Sequence, residues 1–517
     1  MQRPSSSSIS RRAALRRWAS ALGLLGAGAA LTRAGRLPSW LAAPGAASTA
    51  SGQSAGQTGP EIPPARPNGP NVILIVTDDE DADAESIAAM PRLKSYLTDR
   101  GTTFANSFVN VPLCCPSRSS ILRGQYAHNH GVLSNHKPRG SFERFHALGS
   151  ERSTVATWLQ AAGYRTVLLG KYLNGYPSPL DPTYVPPGWD EWASPVGGTE
   201  YIGYNYRLNE NGAVVAYGNR PEDYLTDVLA GKATDFIRRT ADDNRPFFMY
   251  LAPRAPHTPA APALRHQDEY SGVMAPRPPS FNEEEVSDKP DWVRSKPPLS
   301  PDQIAEIDEL YRRRLQSMLA VDEMLDAIVG ALQATGRLEN TYLIFTSDNG
   351  FQLGQHRVDT GKRTAYEGSI RVPLIVRGPG VPAARVIDDL AVNIDLAPTV
   401  AELAGAPVPE FVDGRSLVPL LTGSSSPADW RRAFLVEYWP EAGDEVSRFQ
   451  ALRTQDRLYV EYQTGERELY DLSSDPDELE SLYPAADPGL VAKLSARMAE
   501  LRRCAGANCR AAEMPAP

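Results

Sequence analysis

Cysteine is scarce in this chain, which has four cysteines in 517 residues. Cys114 and Cys115 are adjacent, and Cys504 and Cys509 lie five positions apart near the carboxyl terminus. A zinc site at the second pair would need two more ligands, which its neighbourhood lacks. If the protein is exported, we instead expect Cys504 and Cys509 to form a local disulfide.

Positive charge and long apolar runs are also lacking. The formal net charge is −9 at pH 7, which disfavours general binding to nucleic acid or anionic surfaces, and no nucleic-acid-binding module is recognisable. The apolar stretch at 19–31 is too short and too rich in alanine and glycine for a membrane span. We therefore expect no nucleic-acid partner and no stable membrane span. An anionic ligand would have to be attracted by local positive charge at its site.

The first 70 residues indicate export. Residues 10–15 (SRRAAL) resemble a twin-arginine export motif, and the apolar stretch follows them. We predict a removable signal over 1–45, with an uncleaved anchor as the alternative, and a flexible linker over 46–70 that is rich in Ser, Gly, Ala and Pro. The predicted destination is the cell envelope or the medium of a bacterium.

Short apolar runs predict the strands of one sheet. They lie at 71–76, 165–169, 247–251, 341–346 and 372–376. Helical stretches alternate with these runs, which favours an α/β fold with a mainly parallel sheet and helices on both faces. The clearest helix is predicted to begin after the capping residue Ser300, with Pro301 in its first turn, and to end at Gly336.

The pattern changes after about residue 430, where short strands are predicted at 450–454, 457–462 and 468–472. A terminal helix follows. We therefore predict a large domain over 71–430 and a small subdomain with an antiparallel sheet over 431–517.

Two predicted strands are followed directly by acidic or amide side chains. Asp78 and Asp79 follow the first run, and Asp348 and Asn349 follow the run at 341–346. Open α/β sheets bind ligands at the carboxyl ends of their strands, so these side chains are expected to converge. Their hard oxygen atoms suit Ca²⁺ or Mg²⁺ better than zinc. Alone, each pair would be interpreted as a helix cap or a solvated turn.

A cysteine motif changes that interpretation. Residues 113–124 (LCCPSRSSILRG) contain Cys114 followed at the required spacing by Pro116 and Arg118. This resembles the C-x-P-S-R signature of the sulfatase family, whose first cysteine is oxidised after synthesis to formylglycine. Cys115 does not fit, because Ser117 stands where a proline is needed. The alternative is a pair of buried thiols beside a turn.

Basic residues follow two further strands. Lys171 comes directly after the run at 165–169 and Gly170, and His257 lies in a loop that prolines stiffen after the run at 247–251. Lys362 lies in a polar segment, where a lysine is ordinarily a solvated charge. Taken alone, each of the three is more often a surface residue.

The resemblance to sulfatases extends over roughly residues 70–480, and segments 113–118, 126–130 and 170–174 look most like the N-acetylglucosamine-6-sulfatase and heparan 6-O-endosulfatase branch. It implies an alkaline-phosphatase-like fold. The metal ligands it implies are Asp78, Asp79, Cys114, Asp348 and Asn349. The catalytic residues it implies are Cys114, Arg118, Lys171, His257 and Lys362. Many arylsulfatases have a histidine where this chain has Leu173, and Asn174 or His128 are candidates to replace its hydrogen bond.

The sequence therefore predicts an exported sulfatase that uses formylglycine at position 114 and Ca²⁺, or alternatively Mg²⁺. The expected partners are a sulfated small molecule or glycan as substrate and a formylglycine-generating enzyme during maturation. A carbohydrate 6-O-sulfate is the expected substrate. Three alternatives stay open: a broad arylsulfatase, a phosphate or phosphonate ester hydrolase on the same scaffold, and a non-catalytic glycan-binding protein.

Overall fold

A computed structural model describes residues 69–82, 84–423 and 426–514. The predicted signal over 1–45 and most of the predicted linker over 46–70 lie outside the described residues. Within the described ranges, no helix combines the length and the apolar character that crossing a membrane requires.

The described chain alternates strands and helices. The strands are β1 (Asn71–Thr77), β2 (Thr102–Phe104), β3 (Ser107–Phe108), β4 (Arg165–Gly170), β5 (Glu191–Pro195), β6 (Arg207–Glu210), β7 (Ala213–Ala216), β8 (Phe247–Ala252), β9 (Thr341–Ser347), β10 (Leu374–Arg377), β11 (Arg385–Ile387), β12 (Ala391–Val392), β13 (Ala433–Tyr438), β14 (Phe449–Thr454), β15 (Arg457–Tyr462) and β16 (Arg467–Asp471). The α-helices are α1 (Ala84–Ala88), α2 (Pro91–Leu93), α3 (Cys114–Arg123), α4 (Ala127–His130), α5 (Ser141–Ala147), α6 (Val155–Ala161), α7 (Leu225–Arg239), α8 (Asp291–Arg294), α9 (Pro301–Ala334), α10 (Glu367–Ile370), α11 (Leu396–Ala404), α12 (Val418–Thr422), α13 (Pro488–Leu501) and α14 (Ala507–Ala512).

The large sheet has the order β11-β2-β10-β9-β1-β8-β4-β5-β6-β7. Its centre, from β9 to β5, is parallel throughout, which confirms the predicted mainly parallel α/β sheet. Each of the five predicted apolar runs forms a strand of this sheet. The run at 372–376 differs in direction, because β10 pairs antiparallel with β9.

Helices cover both faces of the sheet, as predicted. Val72 and Leu74 of β1 pack in the core that includes residues of α6 and α11. Ile73 and Ile75 point the other way, into the core that includes residues of α7 and α9. Successive strand residues face opposite sides, so a strand buried on both faces must be apolar at every position.

The predicted long helix is α9. The Ser300 side chain accepts a hydrogen bond from the backbone N–H of Gln303 (3.3 Å), and Pro301 occupies the first turn. Gly336 follows the helix with a φ of +68°, a left-handed conformation that favours glycine. These contacts confirm the start and the end expected from the sequence.

A second sheet, with the antiparallel order β13-β14-β15-β16, lies near the carboxyl terminus. It confirms the expected small antiparallel sheet, and α13 packs against it. Cys504 and Cys509 form a disulfide with an S–S distance of 1.99 Å. The described residues belong to one compact unit, so the division at 430/431 stays a prediction.

Candidate active site

Neighbouring parallel strands bring distant polar residues to one edge of the sheet. β9, β1, β8 and β4 are adjacent and parallel, so the residues that follow them meet. The backbone N–H of Asp79 donates to Asp348 Oδ1 at 3.1 Å, and Lys171 Nζ lies 2.7 Å from Asp78 Oδ1. The convergence expected from the sequence is therefore present.

Helix α3 adds Cys114 and Arg118 to this edge. Cys114 is the first residue of the helix, and Arg118 lies one turn later on the same face. The Arg118 side chain is fully buried, and its Nε donates to Asp348 Oδ2 at 2.7 Å. Its Nη1 donates to the carbonyl of Lys171 at 3.3 Å. Burial is tolerated because the guanidinium has a carboxylate partner and further hydrogen bonds.

The Cys114 thiol lies among charged groups. Lys362 Nζ is 2.8 Å from Cys114 Sγ and also contacts Asp79. Burial alone would raise the pKa of Cys114, but Lys171 and Lys362 outweigh it and lower that pKa. Cys115 has the opposite character, because burial raises its pKa to about 12. The two adjacent thiols therefore occupy chemically different sites.

His257 faces the same centre from the loop after β8. Its Nδ1 lies 2.7 Å from the carbonyl oxygen of Thr258, which can only accept a hydrogen bond, so Nδ1 carries a proton. Its Nε2 points towards Asp79 Oδ2 at 3.7 Å. Burial lowers the pKa of His257, but the charges of Asp79 and Asp78 outweigh burial and raise it.

Asp78 is surrounded by cations. Lys171 Nζ lies 2.7 and 2.8 Å from its two oxygens, and Arg254 Nη1 lies at 3.5 Å. Burial would raise the pKa of Asp78, but these charges, with His257 and Arg118, hold the pKa well below its usual value. The carboxylate is therefore ionised.

The donors at this edge fit a hard divalent cation. Ligand atoms of Asp78, Asp79, Cys114 and His257 all lie within 4.8 Å of one another. Asn349 Oδ1 is buried, and no hydrogen-bond donor within the described ranges reaches it. A buried amide oxygen without a partner is costly unless it binds something. Carboxylate and amide oxygens are the ligands that Ca²⁺ and Mg²⁺ prefer.

His128 does not reach this centre. Its Nδ1 lies 2.7 Å from Glu437 Oε2, and its Nε2 lies 3.2 Å from the carbonyl of Cys504. Both ring nitrogens are engaged there, so His128 does not substitute for a histidine at the position of Leu173. Asn174 instead lines a cleft of about 540 Å³ together with Lys171.

Arg254 is a residue of the centre to which the sequence patterns assign no role. Its guanidinium lies 4.1 Å from the centre of the Tyr201 ring, contacts Glu200 and approaches Asp78. It lies two positions after the end of β8. The rule that singled out Lys171, a cation at the carboxyl end of a strand, would also have found Arg254.

Comparisons with known proteins agree with this geometry. The profile of the Sulfatase family matches residues 70–406, and that of the N-sulphoglucosamine sulphohydrolase C-terminal region matches residues 354–504. The human protein named N-acetylglucosamine-6-sulfatase is 36% identical over 481 residues, covering 85% of this chain and 86% of that protein. An extracellular sulfatase homologue from Drosophila melanogaster is 36% identical over 402 residues, covering 77% of this chain and 35% of that protein.

Solved structures share the fold. One, described as a complex with its substrate D-glucosamine-2-N,6-O-disulfate, has a TM-score of 0.71 and 26% identity, covering 84% of this chain and 98% of its own. A phosphonate monoester hydrolase from Silicibacter pomeroyi has a TM-score of 0.67 and 24% identity, covering 84% and 94%, which shows the fold alone. The chain belongs to the sulfatase family and is a sulfuric ester hydrolase.

Proposed function

We propose that this protein is an exported sulfatase that removes a 6-O-sulfate from a carbohydrate, using formylglycine at position 114 and a divalent cation. The observation that carries the proposal is the setting of Cys114. Its buried Sγ lies 2.8 Å from Lys362 Nζ at the start of α3, beside the carboxylates at the strand ends. Support for the substrate comes from the human relative named N-acetylglucosamine-6-sulfatase.

The Sγ atom of Cys114 stands in for the oxygen that formylglycine would carry at this position. Oxidation by a formylglycine-generating enzyme would replace the thiol by an aldehyde, and addition of water to the aldehyde would supply the hydroxyl that attacks the sulfur of the ester and releases the alcohol. Cys115 is not proposed for this role, because its thiol lies in the apolar core that contains Ile121 and Leu122, and burial raises its pKa to about 12.

We propose that Ca²⁺, or alternatively Mg²⁺, is bound here. Its ligands would be Asp78, Asp79, Asp348 and Asn349, with residue 114 completing the set. The unpartnered Asn349 Oδ1 supports this assignment. A bound cation would offset the negative charge of the sulfate and polarise its oxygens.

Protein cations would stabilise the charge that develops during the reaction. Lys171 and Arg118 are buried around residue 114 and Lys362 is largely buried there, where low dielectric strengthens their interaction with a sulfate. His257 would donate a proton from Nε2 to the leaving oxygen, because Thr258 holds its Nδ1–H. Lys362 is the alternative donor.

Export would follow the twin-arginine-type segment at 10–15. The disulfide between Cys504 and Cys509 agrees with an oxidising compartment. A double variant, Arg11→Lys with Arg12→Lys, should retain the protein in the cytoplasm. Normal export of that variant would contradict the proposed route.

A panel of substrates tests the chemistry. Purified protein whose peptide around Cys114 shows formylglycine by mass spectrometry should hydrolyse an N-acetylglucosamine 6-O-sulfate with a higher kcat/KM than an aryl sulfate. It should hydrolyse a phosphonate monoester least. Rapid hydrolysis of the aryl sulfate with every sulfated sugar untouched would reject the carbohydrate assignment, and unconverted Cys114 in active protein would reject the nucleophile.

A further inference from the structure

A large cavity with basic side chains lies beside the active centre. Its volume is about 1130 Å³, above the roughly 300–1,000 Å³ of typical small-molecule sites. Its walls come from the loop at 133–139 and from residues 439–448 of the carboxyl-terminal region. We call it the basic cavity and define it by Lys137, Arg139, Arg363, Trp439 and Arg448.

The basic cavity adjoins the site of chemistry at three points. Arg363 directly follows Lys362, which contacts Cys114. Asn135 lies in the same loop and accepts a hydrogen bond from the backbone of Cys115. His136 lines both the basic cavity and the cleft that contains Lys171. The basic cavity and the cleft that contains Lys171 are therefore neighbours, with His136 in the walls of both.

The acidic residues of the cavity already have partners. Glu441 and Asp444 line it, and Arg363 pairs with both, at 3.7 Å from Glu441. Glu441 also accepts hydrogen bonds from the backbone of Asn135 and His136, at 2.8 and 3.0 Å. Lys137 pairs with Glu143 at 3.5 Å, so Arg139 and Arg448 are the cations of the cavity that have no ion pair among the described residues.

Arg448 is the central unpaired cation. It is half-buried, and in the described part of the chain no carboxylate oxygen lies within 4.0 Å of its nitrogens. Its Cζ lies 5.4 Å from the centre of the buried Trp439 ring. Burial and the charges of Arg502 and Arg139 lower the pKa of Arg448, and they outweigh the charge of Glu437, which raises it. Arg139 is exposed and likewise has no ion pair among the described residues.

This local excess of positive charge contrasts with the net charge of −9 for the whole chain. A half-buried arginine without a carboxylate partner is stabilised by an anion, and arginine offers paired donors that match a sulfate or a carboxylate. We propose that the basic cavity binds the sulfate or carboxylate of a sugar next to the one that is desulfated, so that the preferred substrate is a polyanionic oligosaccharide. This proposal rests on the proposed carbohydrate sulfatase function.

The test compares substrates of different length. The ratio of kcat/KM for an anionic 6-O-sulfated tetrasaccharide to that for the 6-O-sulfated monosaccharide is measured in the full-length protein and in Arg139→Ala/Arg448→Ala. Loss of charge-assisted hydrogen bonds should lower this ratio about tenfold. Arg503→Ala removes an exposed charge of the carboxyl-terminal region outside the cavity, and it should leave the ratio unchanged. An unchanged ratio in the double variant would overturn the proposal.

Three tetrasaccharides identify the anion. One carries only a uronate carboxylate on the neighbouring sugar, one only an added sulfate, and one neither. The compound without an added anion should show no loss in the double variant, and whichever of the other two shows the larger loss identifies the anion that the cavity binds. Equal losses for all three would overturn the proposal. If the double variant does not fold, the single variant Arg139→Ala, at an exposed position, should lower the ratio about threefold. An unchanged ratio in that single variant would also overturn the proposal.

Binding separates this proposal from the proposed function. In Cys114→Ala protein, calorimetry should show that Arg139→Ala/Arg448→Ala weakens tetrasaccharide binding about tenfold at low salt. Such a loss would support anion binding in the basic cavity even if no form of the protein hydrolysed a sugar sulfate. Absence of hydrolysis would reject the proposed function instead. Unchanged affinity would overturn the proposal that the cavity binds an anion.

Discussion

Lys171 and Asp78 form a buried ion pair although they are 93 positions apart, with Lys171 Nζ 2.7 Å from Asp78 Oδ1. Both side chains are almost completely buried. The pair exists because β4 and β1 both lie next to β8 and run parallel to it. The sheet therefore places the lysine beside a carboxylate that would otherwise be a buried, uncompensated charge.

Lys171→Met should damage both stability and activity. Asp78 would lose its principal partner, so the free energy of unfolding should fall by about 3 kcal/mol in chelator-treated protein. The kcat/KM for a sulfate ester should fall at least about 10²-fold, because a cation facing the sulfate is removed. Urea unfolding and initial rates measure the two effects. Lys94→Met is the matched control, since Lys94 pairs with Asp99 at the surface, and a similar loss there would contradict the argument.

The two adjacent cysteines should respond oppositely to substitution. Cys114→Ala should lower kcat/KM at least about 10⁴-fold, because the proposed nucleophile cannot form, and its thermal unfolding should stay close to the wild type. Cys115→Ala should keep its activity. Rates and mass spectrometry of the peptide that contains both residues give the result. Full activity of a folded Cys114→Ala protein would reject the formylglycine mechanism.

Much of the fold follows from the sequence, because the central strands are buried on both faces and must be apolar throughout. The run predicted at 341–346 is β9, Thr341–Ser347. The parallel order then explains why Asp78, Asp79, Asp348 and Lys171 meet. The positions of these residues were therefore predictable, whereas their roles in metal binding and catalysis rest on the family resemblance and stay predictions.

Other features of the fold and the site depend on contacts between distant residues, which local sequence patterns do not predict. Apolar composition does not encode strand direction, so the antiparallel pairing of β10 is not predictable from its residues. The contact of His128 with Glu437 spans 309 positions. The edge hairpin of β6 and β7, in contrast, has a local signal in the sequence. Asn211 and Gly212 lie in its turn with φ values of +51° and +89°, and Asn-Gly is typical of such turns.

Removal of the cation should inactivate the enzyme reversibly. Chelation should abolish hydrolysis, and Ca²⁺ or Mg²⁺ should restore it, because without the cation the three buried carboxylates and Asn349 lose the metal ion that they are proposed to bind. Calcium at about 100 times its Kd should stabilise the folded protein by about 2.7 kcal/mol. Asn349→Ala should weaken binding at least about tenfold by calorimetry, whereas the exposed Asn508→Ala should not. Active protein without bound metal would reject the site.

His130 should make the protein sensitive to acid. It is buried, the backbone N–H of Val132 donates to its Nδ1 at 3.1 Å, and its Nε2 lies 3.0 Å from Ser120 Oγ. Burial, with the charges of Arg123 and His128, lowers its pKa to about 3.

Because this folded pKa lies below the unfolded value of about 6.5, the contribution of His130 to stability is complete above pH 6.5 and is lost as the pH falls towards 3. Between pH 7 and pH 4 the loss should be about 3 kcal/mol at about 1.36 kcal/mol per pH unit. The free energy of unfolding of His130→Gln, measured in urea, should fall less steeply with acid than that of the wild type by this amount. His136→Gln removes a largely exposed histidine and is the control for loss of an imidazole. Identical acid slopes for the wild type and His130→Gln would show that the folded protein accepts a proton at His130 as readily as the unfolded chain does.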